Sequence, residues 1–136
     1  MAMRNPDLFV ASAPFSAGVH TGEEIVNMEQ EGYDRIFGVL FGENLEGEDR
    51  ITEHYKKFDP LHLARTLPVK TLSSIRWYID CGDDDFLYAG NSRLHVILRE
   101  REIPHEYRVR DGSHNWTYWR TGITEALRFI GESFHR

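Results

Sequence analysis

The sequence predicts an α/β fold in which about three parallel β-strands are flanked by helices. Three short runs of apolar, β-branched or aromatic residues, at positions 8–13, 75–79 and 105–110, alternate with segments of helical pattern. Strands that alternate with helices of this length are typical of a parallel sheet covered by helices. The chain has 136 residues, which is the size of one domain and leaves no room for a second full core.

The first residues have the pattern of a helix end that leads into a buried strand. Residues 1–5 would form a last helical turn, which must stop before Pro6 because a proline disfavours helical backbone in the residue before it. Residues 8–13 (LFVASA) form a short apolar run that is typical of a buried parallel strand. A chain that opens in mid-helix favours the hypothesis that part of the fold lies upstream. The alternative is a ragged terminus on a complete domain.

The next fifty residues carry mixed signals. Residues 14–22 are rich in Gly, Ser and Pro and predict a loop. Residues 23–31 predict a weak helix, residues 48–58 a helix that is charged on one side, and residues 60–64 a short turn. Residues 32–47 hold four glycines among aromatic residues, and this mixture predicts irregular structure.

The second half of the chain gives clearer signals. Residues 75–79 (IRWYI) are β-branched and aromatic, which favours a strand. Residues 91–101 and 116–134 carry apolar residues at helical spacing and predict two helices. Residues 105–110 alternate apolar and charged side chains and predict a further extended segment. The order is therefore strand, acidic loop, helix, strand, histidine loop, helix.

Composition excludes several classes of protein. With 40% hydrophobic and 28% charged residues, the chain is neither disordered nor collagen-like nor a coiled coil. Its net charge of −6 argues against a nucleic-acid partner, and the chain has no run near the ~18 apolar residues of a membrane span. The single Cys81 excludes an internal disulfide and a cysteine-based zinc site, and no metal or cofactor is expected. A lone cysteine is compatible with the cytoplasm or with secretion.

Two loops follow predicted strands and carry the residues suited to chemistry. The acid loop, residues 80–88 (DCGDDDFLY), follows the second strand, and the histidine loop, residues 111–116 (DGSHNW), follows the third. Reactive groups of open α/β sheets gather beyond the carboxyl ends of the strands. An acid and His114 can therefore meet there, with the carboxylate fixing the imidazole tautomer as acyl transfer requires. The simpler interpretation is a solvated acidic turn and an exposed histidine.

A nucleophile to complete such a site is not evident in the sequence. No G-x-S-x-G motif, which places a serine on a sharp strand-to-helix turn, occurs in the chain. Ser16 comes nearest, but Pro14 stands where the first glycine of the motif must be. The sequence around Ser16 also lacks the strand–helix context of the motif.

These loops resemble the C-terminal half of the esterase branch of the α/β hydrolases. This branch includes the esterase D or S-formylglutathione hydrolase type, tributyrin, feruloyl and acetyl-xylan esterases and, more distantly, the mycolyltransferases. The match is carried by residues 5–9 (NPDLF), 81–88 (CGDDDFLY), 103–107 (IPHEY) and 112–119 (GSHNWTYW). The last stretch is the most specific, because family members commonly show Gly-x-His-x-Trp-x-x-Trp there. The resemblance spans nearly the whole chain but only about half of the family's fold.

The resemblance implies a serine esterase whose catalytic histidine is His114. Its catalytic acid, three residues after Gly82, is Asp85, with Asp84 as the nearest competitor. Asn115 stands where family members usually carry Asp, and a role in capping the following helix would survive this change. The nucleophile and the oxyanion hole would lie upstream of the first residue, so the chain alone is expected to be inactive.

The resemblance also implies an organisation. Residues 1–136 would form one partial α/β-hydrolase domain, with residues 23–67 as a cap-like insertion that helps to wall the cleft for a small-molecule or carbohydrate ester. The first strand would lack its usual neighbour, and its apolar edge is expected to be covered, most simply by a second copy of the chain. Candidate wall residues are aromatic, although packing would explain them equally: Phe37, Phe41, Tyr55 and Trp116.

Two other hypotheses remain. One is a metal-dependent site built from the aspartates at 83–85 and a histidine. The histidine pairs 54/62 and 105/114 are 8 and 9 residues apart, which is wider than the H-x₃₋₅-H spacing of zinc fingers. The other is a non-catalytic interaction module whose exposed strand edge recruits a partner strand.

Overall fold

A computed structural model of the chain describes residues 1–135. Its centre is a three-stranded parallel sheet of β1 (Ala11–Ser12), β2 (Arg76–Asp80) and β3 (His105–Arg108). The strands lie in the order β1-β2-β3, so β2 is paired on both sides. The predicted α/β class with three parallel strands and flanking helices is confirmed.

The first strand is shorter than the sequence predicted. Of residues 8–13 only Ala11–Ser12 forms a strand. Residues Pro6–Leu8 form a 3₁₀ turn instead. The first hydrogen bond to the sheet is made by the carbonyl of Val10, which accepts from the N–H of Arg76 at 3.0 Å. β1 is an edge strand, and it is hydrogen-bonded to β2 alone among the described strands. Ahead of it, Ala2–Arg4 is a separate 3₁₀ turn that ends at Asn5, as the proline at the next position predicts.

Eight α-helices lie in the described part of the chain. They are α1 (Gly22–Asn27), α2 (Gln30–Tyr33), α3 (Val39–Phe41), α4 (Glu53–Lys56), α5 (Pro60–Thr66), α6 (Val69–Ser73), α7 (Tyr88–Glu100) and α8 (Trp116–Gly131). A π-helical turn, Asp34–Gly38, joins α2 to α3, and a 3₁₀ turn covers Gly47–Arg50. No helix among the residues described is both long and apolar enough to cross a membrane.

One stretch of this region differs from the sequence expectation. Residues 32–47 were expected to be irregular, yet the backbone is helical up to Phe41, because Tyr33, Phe37 and Phe41 recur every fourth residue and pack in file. No element was predicted for residues 69–73, which form α6 and begin without a side-chain cap.

Side-chain caps explain where several short helices begin. Thr21 and Glu24 form a reciprocal capping box at the start of α1. Thr52 accepts from a backbone N–H at the start of α4. Asp59 caps α5, which carries Pro60 in its first turn, where a proline costs no hydrogen bond.

The sheet is covered on both faces. On one face Trp77 and Ile79 of β2 are buried against α5, α6 and α7, and on the other face Tyr78 packs against Ala126 and Phe129 of α8. This alternation is the two-residue period of a β-strand. Both faces are therefore packed around the strand that leads into the acid loop.

Residues 22–58 have a small core of their own around Ile25, Tyr33 and Tyr55. Arg50 is buried beside it, 3% exposed, with its guanidinium 4.4 Å from the ring of Tyr33. That guanidinium donates to four carbonyl oxygens and one side-chain oxygen: those of Ile25, Val26, Met28, Leu45 and the Gln30 amide. A charge buried in this way is offset by its hydrogen bonds, which tie the turns of this segment together.

Candidate active site

Asp85 is held rigidly in the turn that follows β2. Its side chain is fully buried, and its backbone N–H donates to the carbonyl of Gly82 at 3.2 Å. The backbone N–H of Leu87 donates to Oδ1 of Asp85 at 2.9 Å. The local turn therefore fixes the carboxylate and leaves acceptor capacity for a group from elsewhere in the chain.

That group is His114. Its Nδ1 lies 3.1 Å from Oδ2 and 3.2 Å from Oδ1 of Asp85, so the two residues that the sequence paired are in contact. A carboxylate only accepts hydrogen bonds, and the proton must therefore sit on Nδ1. In the neutral ring this leaves Nε2 with a lone pair, which is the form that a general base requires.

Two aromatic side chains orient the imidazole of His114. Phe86 lies with its ring centroid 4.7 Å away, and Trp119 meets the ring edge-on at 5.0 Å. Trp116 in turn packs edge-on against Trp119. The side chain of His114 nevertheless keeps 32% of its surface exposed, so a reactant can reach it.

Backbone hydrogen bonds join the two loops. The N–H of Asp83 donates to the carbonyl of Arg110 at 3.2 Å, and that of Asp84 donates to the carbonyl of Gly112 at 3.1 Å. The N–H of Gly112 donates back to Oδ1 of Asp83 at 3.0 Å. With its φ of +135°, Gly112 makes the sharp turn that brings His114 back over the sheet. Asp84, the competitor for the acid role, is exposed, and it is Asp85 that touches His114.

A second buried acid supports the histidine loop, and sequence reasoning missed it. Asp80, the last residue of β2, is fully buried and accepts from the hydroxyls of Tyr118 and Tyr78 and from Nη2 of Arg110 at 3.2 Å. Burial, with Asp80 nearby, raises the pKa of Tyr78 to about 12 and also raises the pKa of Tyr118, so both phenols stay protonated donors. The position of Asp80 at the end of a predicted strand could have identified it, but the three consecutive aspartates at 83–85 are the stronger signal in the sequence.

Asn115 caps α8 as predicted. Its Oδ1 accepts from the backbone N–H of Tyr118 at 3.0 Å, and the helix begins at the next residue, Trp116. The departure from the family's usual aspartate at this position therefore leaves the cap in place. The cap also fixes the chain immediately after His114.

The predicted wall residues do not come together. Tyr55 is 6% exposed in the small core of residues 22–58, and Phe37 and Phe41 pack against that core. Their positions fit packing. Trp116 is 71% exposed and lies beside His114 through its contact with Trp119. Of the four candidates, Trp116 is therefore the one that the structure brings to the Asp85–His114 pair.

A cluster of exposed carboxylates lies where the acid loop meets the histidine loop. Oxygens of Asp83, Asp84 and Asp111 lie within 4.8 Å of one another. The metal hypothesis had grouped residues 83–85 with a histidine. In the structure Asp85 faces His114 and lies outside the cluster. The third member of the cluster is Asp111 and not a histidine.

Comparisons with known proteins give a consistent result. The model of a family described as "Putative esterase" matches residues 1–130. An acetyl esterase from Caldicellulosiruptor saccharolyticus is 30% identical over 100 residues, which cover 74% of this chain and 34% of that enzyme. The chain therefore spans about a third of this relative.

Solved structures share the fold over almost the whole chain. A ferulic acid esterase superposes with a TM-score of 0.70 at 24% identity, covering 97% of this chain and 45% of that one. The Staphylococcus aureus fluorophosphonate-binding serine hydrolase FphF gives 0.70 at 26% identity, covering 95% and 47%. The S. aureus S-formylglutathione hydrolase FrmB gives 0.60 at 24% identity, covering 95% and 47%. The chain spans less than half of each.

Proposed function

The chain belongs to the esterase family whose model matches residues 1–130, and we propose that it supplies the acid and the histidine of a serine-hydrolase triad. Asp85 is the acid and His114 is the histidine. The observation that carries the proposal is the 3.1 Å contact between Oδ2 of Asp85 and Nδ1 of His114. The burial of Asp85 strengthens it, because a carboxylate shielded from water acts more strongly on its partner.

In this proposal Nε2 of His114 takes the proton of a serine hydroxyl while the serine oxygen attacks the ester carbonyl. The imidazolium then gives its proton to the alcohol that leaves, and an acyl-enzyme remains. Water releases the acid by the same two steps, with His114 again as base and then as acid. Asp85 stabilises the imidazolium in both halves of the cycle.

We assign the serine and the oxyanion hole to the part of the family fold that these 136 residues do not span. The solved relatives are covered to 45–47% and the acetyl esterase to 34%. The proposed activity therefore belongs to the complete fold, and the chain by itself is expected to be inactive. Without a nucleophile the covalent route is closed, even where the residues around His114 still bind an ester.

The proposed substrate is a small-molecule or carbohydrate ester. One relative is named an acetyl esterase and one solved neighbour a ferulic acid esterase. Beside His114, Phe86 is 67% exposed and Trp116 is 71% exposed. Exposed aromatic faces next to the imidazole favour an apolar or planar group of the ester at this position.

We further propose that the open edge of β1 is covered by another strand, supplied in the isolated chain by a second copy. Leu8 and Val10, which lead into β1, are 77% and 57% exposed. At the opposite edge of the sheet β3 carries an ion pair between Glu106 and Arg108. Charged side chains protect an edge strand from pairing, and an apolar edge invites it, so the contrast points to β1.

The tautomer of His114 tests the triad assignment in the chain as it exists. In ¹⁵N-labelled protein, long-range ¹H–¹⁵N correlations distinguish a protonated ring nitrogen from an unprotonated one. We expect the proton on Nδ1 of His114 in the unmodified chain. Asp85→Asn should shift it toward Nε2, because the amide can donate to Nδ1.

Asp84→Asn is the matched control, since it removes the neighbouring, exposed carboxylate and should leave the tautomer unchanged. A proton on Nε2 in the unmodified chain, or the same tautomer in the unmodified chain and Asp85→Asn, would refute the assignment of Asp85 and His114. Circular dichroism of each variant verifies that it is folded.

A further inference from the structure

Ser16 came nearest to the nucleophile motif in the sequence, and the structure gives it different surroundings from those of a nucleophile. It follows β1 and is 6% exposed, and its backbone lies in the left-handed region with a φ of +47°. Residues other than glycine adopt this conformation rarely, and it persists only where the surrounding structure holds it. The contacts of Ser16 show what holds it and what it holds in turn.

The backbone of Ser16 is fixed by β2. Its N–H donates to the carbonyl of Asp80, the last residue of β2, at 2.8 Å. Just before it, the N–H of Asp80 donates to the carbonyl of Pro14 at 3.1 Å, and Phe15 forms a parallel bridge with Asp80. The pairing of β1 with β2 therefore continues to the carboxyl end of β2, where the acid loop begins. Ser16 lies beside that loop without belonging to it.

The side chain of Ser16 holds Trp119 of α8. Its hydroxyl oxygen accepts from Nε1 of Trp119 at 3.0 Å. An indole nitrogen can only donate, so this hydroxyl supplies the acceptor that the half-buried indole needs. The same indole meets the imidazole of His114 edge-on, with the ring centroids 5.0 Å apart. Two consecutive contacts therefore lead from the loop after β1 to the proposed catalytic histidine.

We propose that Ser16 is a positioning residue for His114 and acts through Trp119, an inference that rests on the proposed function of His114. Without the hydroxyl, the indole N–H loses its acceptor, and Trp119 is free to turn away from the imidazole. Phe86 would then remain as the aromatic contact of the imidazole. The loops after all three strands thus contribute to one arrangement, with Ser16 after β1, Asp85 after β2 and His114 after β3.

Nuclear magnetic resonance of the isotope-labelled chain tests the proposal through the contact between Trp119 and His114. We expect nuclear Overhauser effects between the ring protons of these two residues in the unmodified chain, and their loss in Ser16→Ala. Exchange of the Nδ1 proton of His114 with water should become about tenfold faster in Ser16→Ala, because a ring that is held less firmly exposes that proton more often.

Ser92→Ala is the matched control. It also removes a serine hydroxyl that is hydrogen-bonded to an aromatic side chain, since Oγ of Ser92 lies 2.9 Å from the phenol oxygen of Tyr107. That pair lies on the α7 side of the sheet, away from α8, so the control should leave both measurements on His114 unchanged. An unchanged ring contact in Ser16→Ala, or an equal loss in Ser92→Ala, would overturn the proposal.

A double variant separates a positioning role from a merely structural one. Once Trp119→Phe has removed the indole donor, adding Ser16→Ala should not change the exchange rate of the His114 Nδ1 proton further, because both changes break the same interaction. Effects that multiply in the double variant would contradict an action through Trp119.

The unmodified chain keeps the proposal testable should a variant fail to fold. The indole proton of Trp119 should exchange with water about tenfold more slowly than that of Trp116, which is 71% exposed. Equal rates would overturn the proposal. The ring contact with Trp119 does not depend on which nitrogen of His114 carries the proton. A proton on Nε2 would therefore refute the triad assignment, whereas loss or retention of the ring contact in Ser16→Ala decides the role of Ser16.

Discussion

A methyl group built on Gly82 would lie 2.0 Å from the carbonyl oxygen of Gly112. The acid loop and the histidine loop therefore touch through backbone atoms, with no room for a side chain at Gly82. This contact sets how closely Asp85 and His114 approach, because each lies two or three residues from one of the two glycines. Backbone packing thus fixes the distance between the proposed acid and the proposed histidine.

Replacing Gly82 should disturb both stability and the proposed site. Gly82→Ala forces the loops apart, and we expect it to lower the free energy of unfolding by about 1–3 kcal/mol, the usual cost of overpacking. Urea denaturation measures this loss. Gly18→Ala is the matched control, because a methyl group there meets nothing within 4 Å. Equal stability of the two variants would contradict the close contact.

The isolated chain should not react with a fluorophosphonate probe directed at active serines. Ser16, the nearest sequence candidate, is 6% exposed, and its hydroxyl accepts from Nε1 of Trp119 at 3.0 Å. The φ of Ser16 is +47°, in the left-handed region, but its hydroxyl is buried and therefore not accessible to a probe. Gel fluorescence beside an intact serine hydrolase measures labelling. Labelling that disappears in Ser16→Ala would assign the nucleophile to this chain.

The stability of the chain should fall at alkaline pH, and Cys81 should contribute to the fall. Burial, and then Asp85 and Asp80, raises the pKa of the Cys81 thiol from 9.0 to about 12. Below about pH 9 the thiol is protonated in the folded and the unfolded chain, so its effect on stability is constant. Between about pH 9 and 12 the unfolded chain loses the proton first, which favours unfolding.

Cys81→Ala removes this contribution. We therefore expect the free energy of unfolding of Cys81→Ala to fall less steeply with pH across that interval than in the unmodified chain. Chemical denaturation at several pH values measures how the free energy of unfolding changes with pH in each protein. The comparison of these two slopes does not depend on any difference in stability between the two proteins at pH 7. Parallel slopes would show that the folded chain does not hold the thiol in its neutral form.

The edge of β1 should govern self-association. Val10→Lys places a charge beside β1 and should reduce the oligomer, because charged side chains protect strand edges. Val109→Lys is the matched control, since Val109 follows β3 and is 52% exposed where Val10 is 57% exposed. Size-exclusion chromatography with light scattering measures the mass of each. A monomer at every soluble concentration, or an equal effect of both variants, would contradict the proposed pairing.

The sequence predicted the fold where its signals were strong and local. The strand at Ile79 was predicted from its β-branched and aromatic residues and the helix at Leu94 from its helical spacing, and both were found close to their predicted positions. The first strand was overextended to residues 8–13, because an apolar run does not reveal where pairing with a neighbour begins. The helical stretch up to Phe41 was not predicted, because its glycines favour irregular structure. The four-residue spacing of its aromatic residues stabilises a helix only when their rings pack against one another.

The sequence by itself determined that an acid and a histidine follow two successive predicted strands of a parallel sheet. Local residue types and their spacing are enough to predict strands, helices and the loops between them. The family resemblance narrowed the proposed acid to Asp85 or Asp84. The tertiary structure decided which of these faces His114, because burial and orientation depend on how the two loops meet. It also brought Asp80 against Arg110 and Tyr118, which flank the histidine loop, since contacts between distant parts of a chain arise only when the sheet and its helices pack.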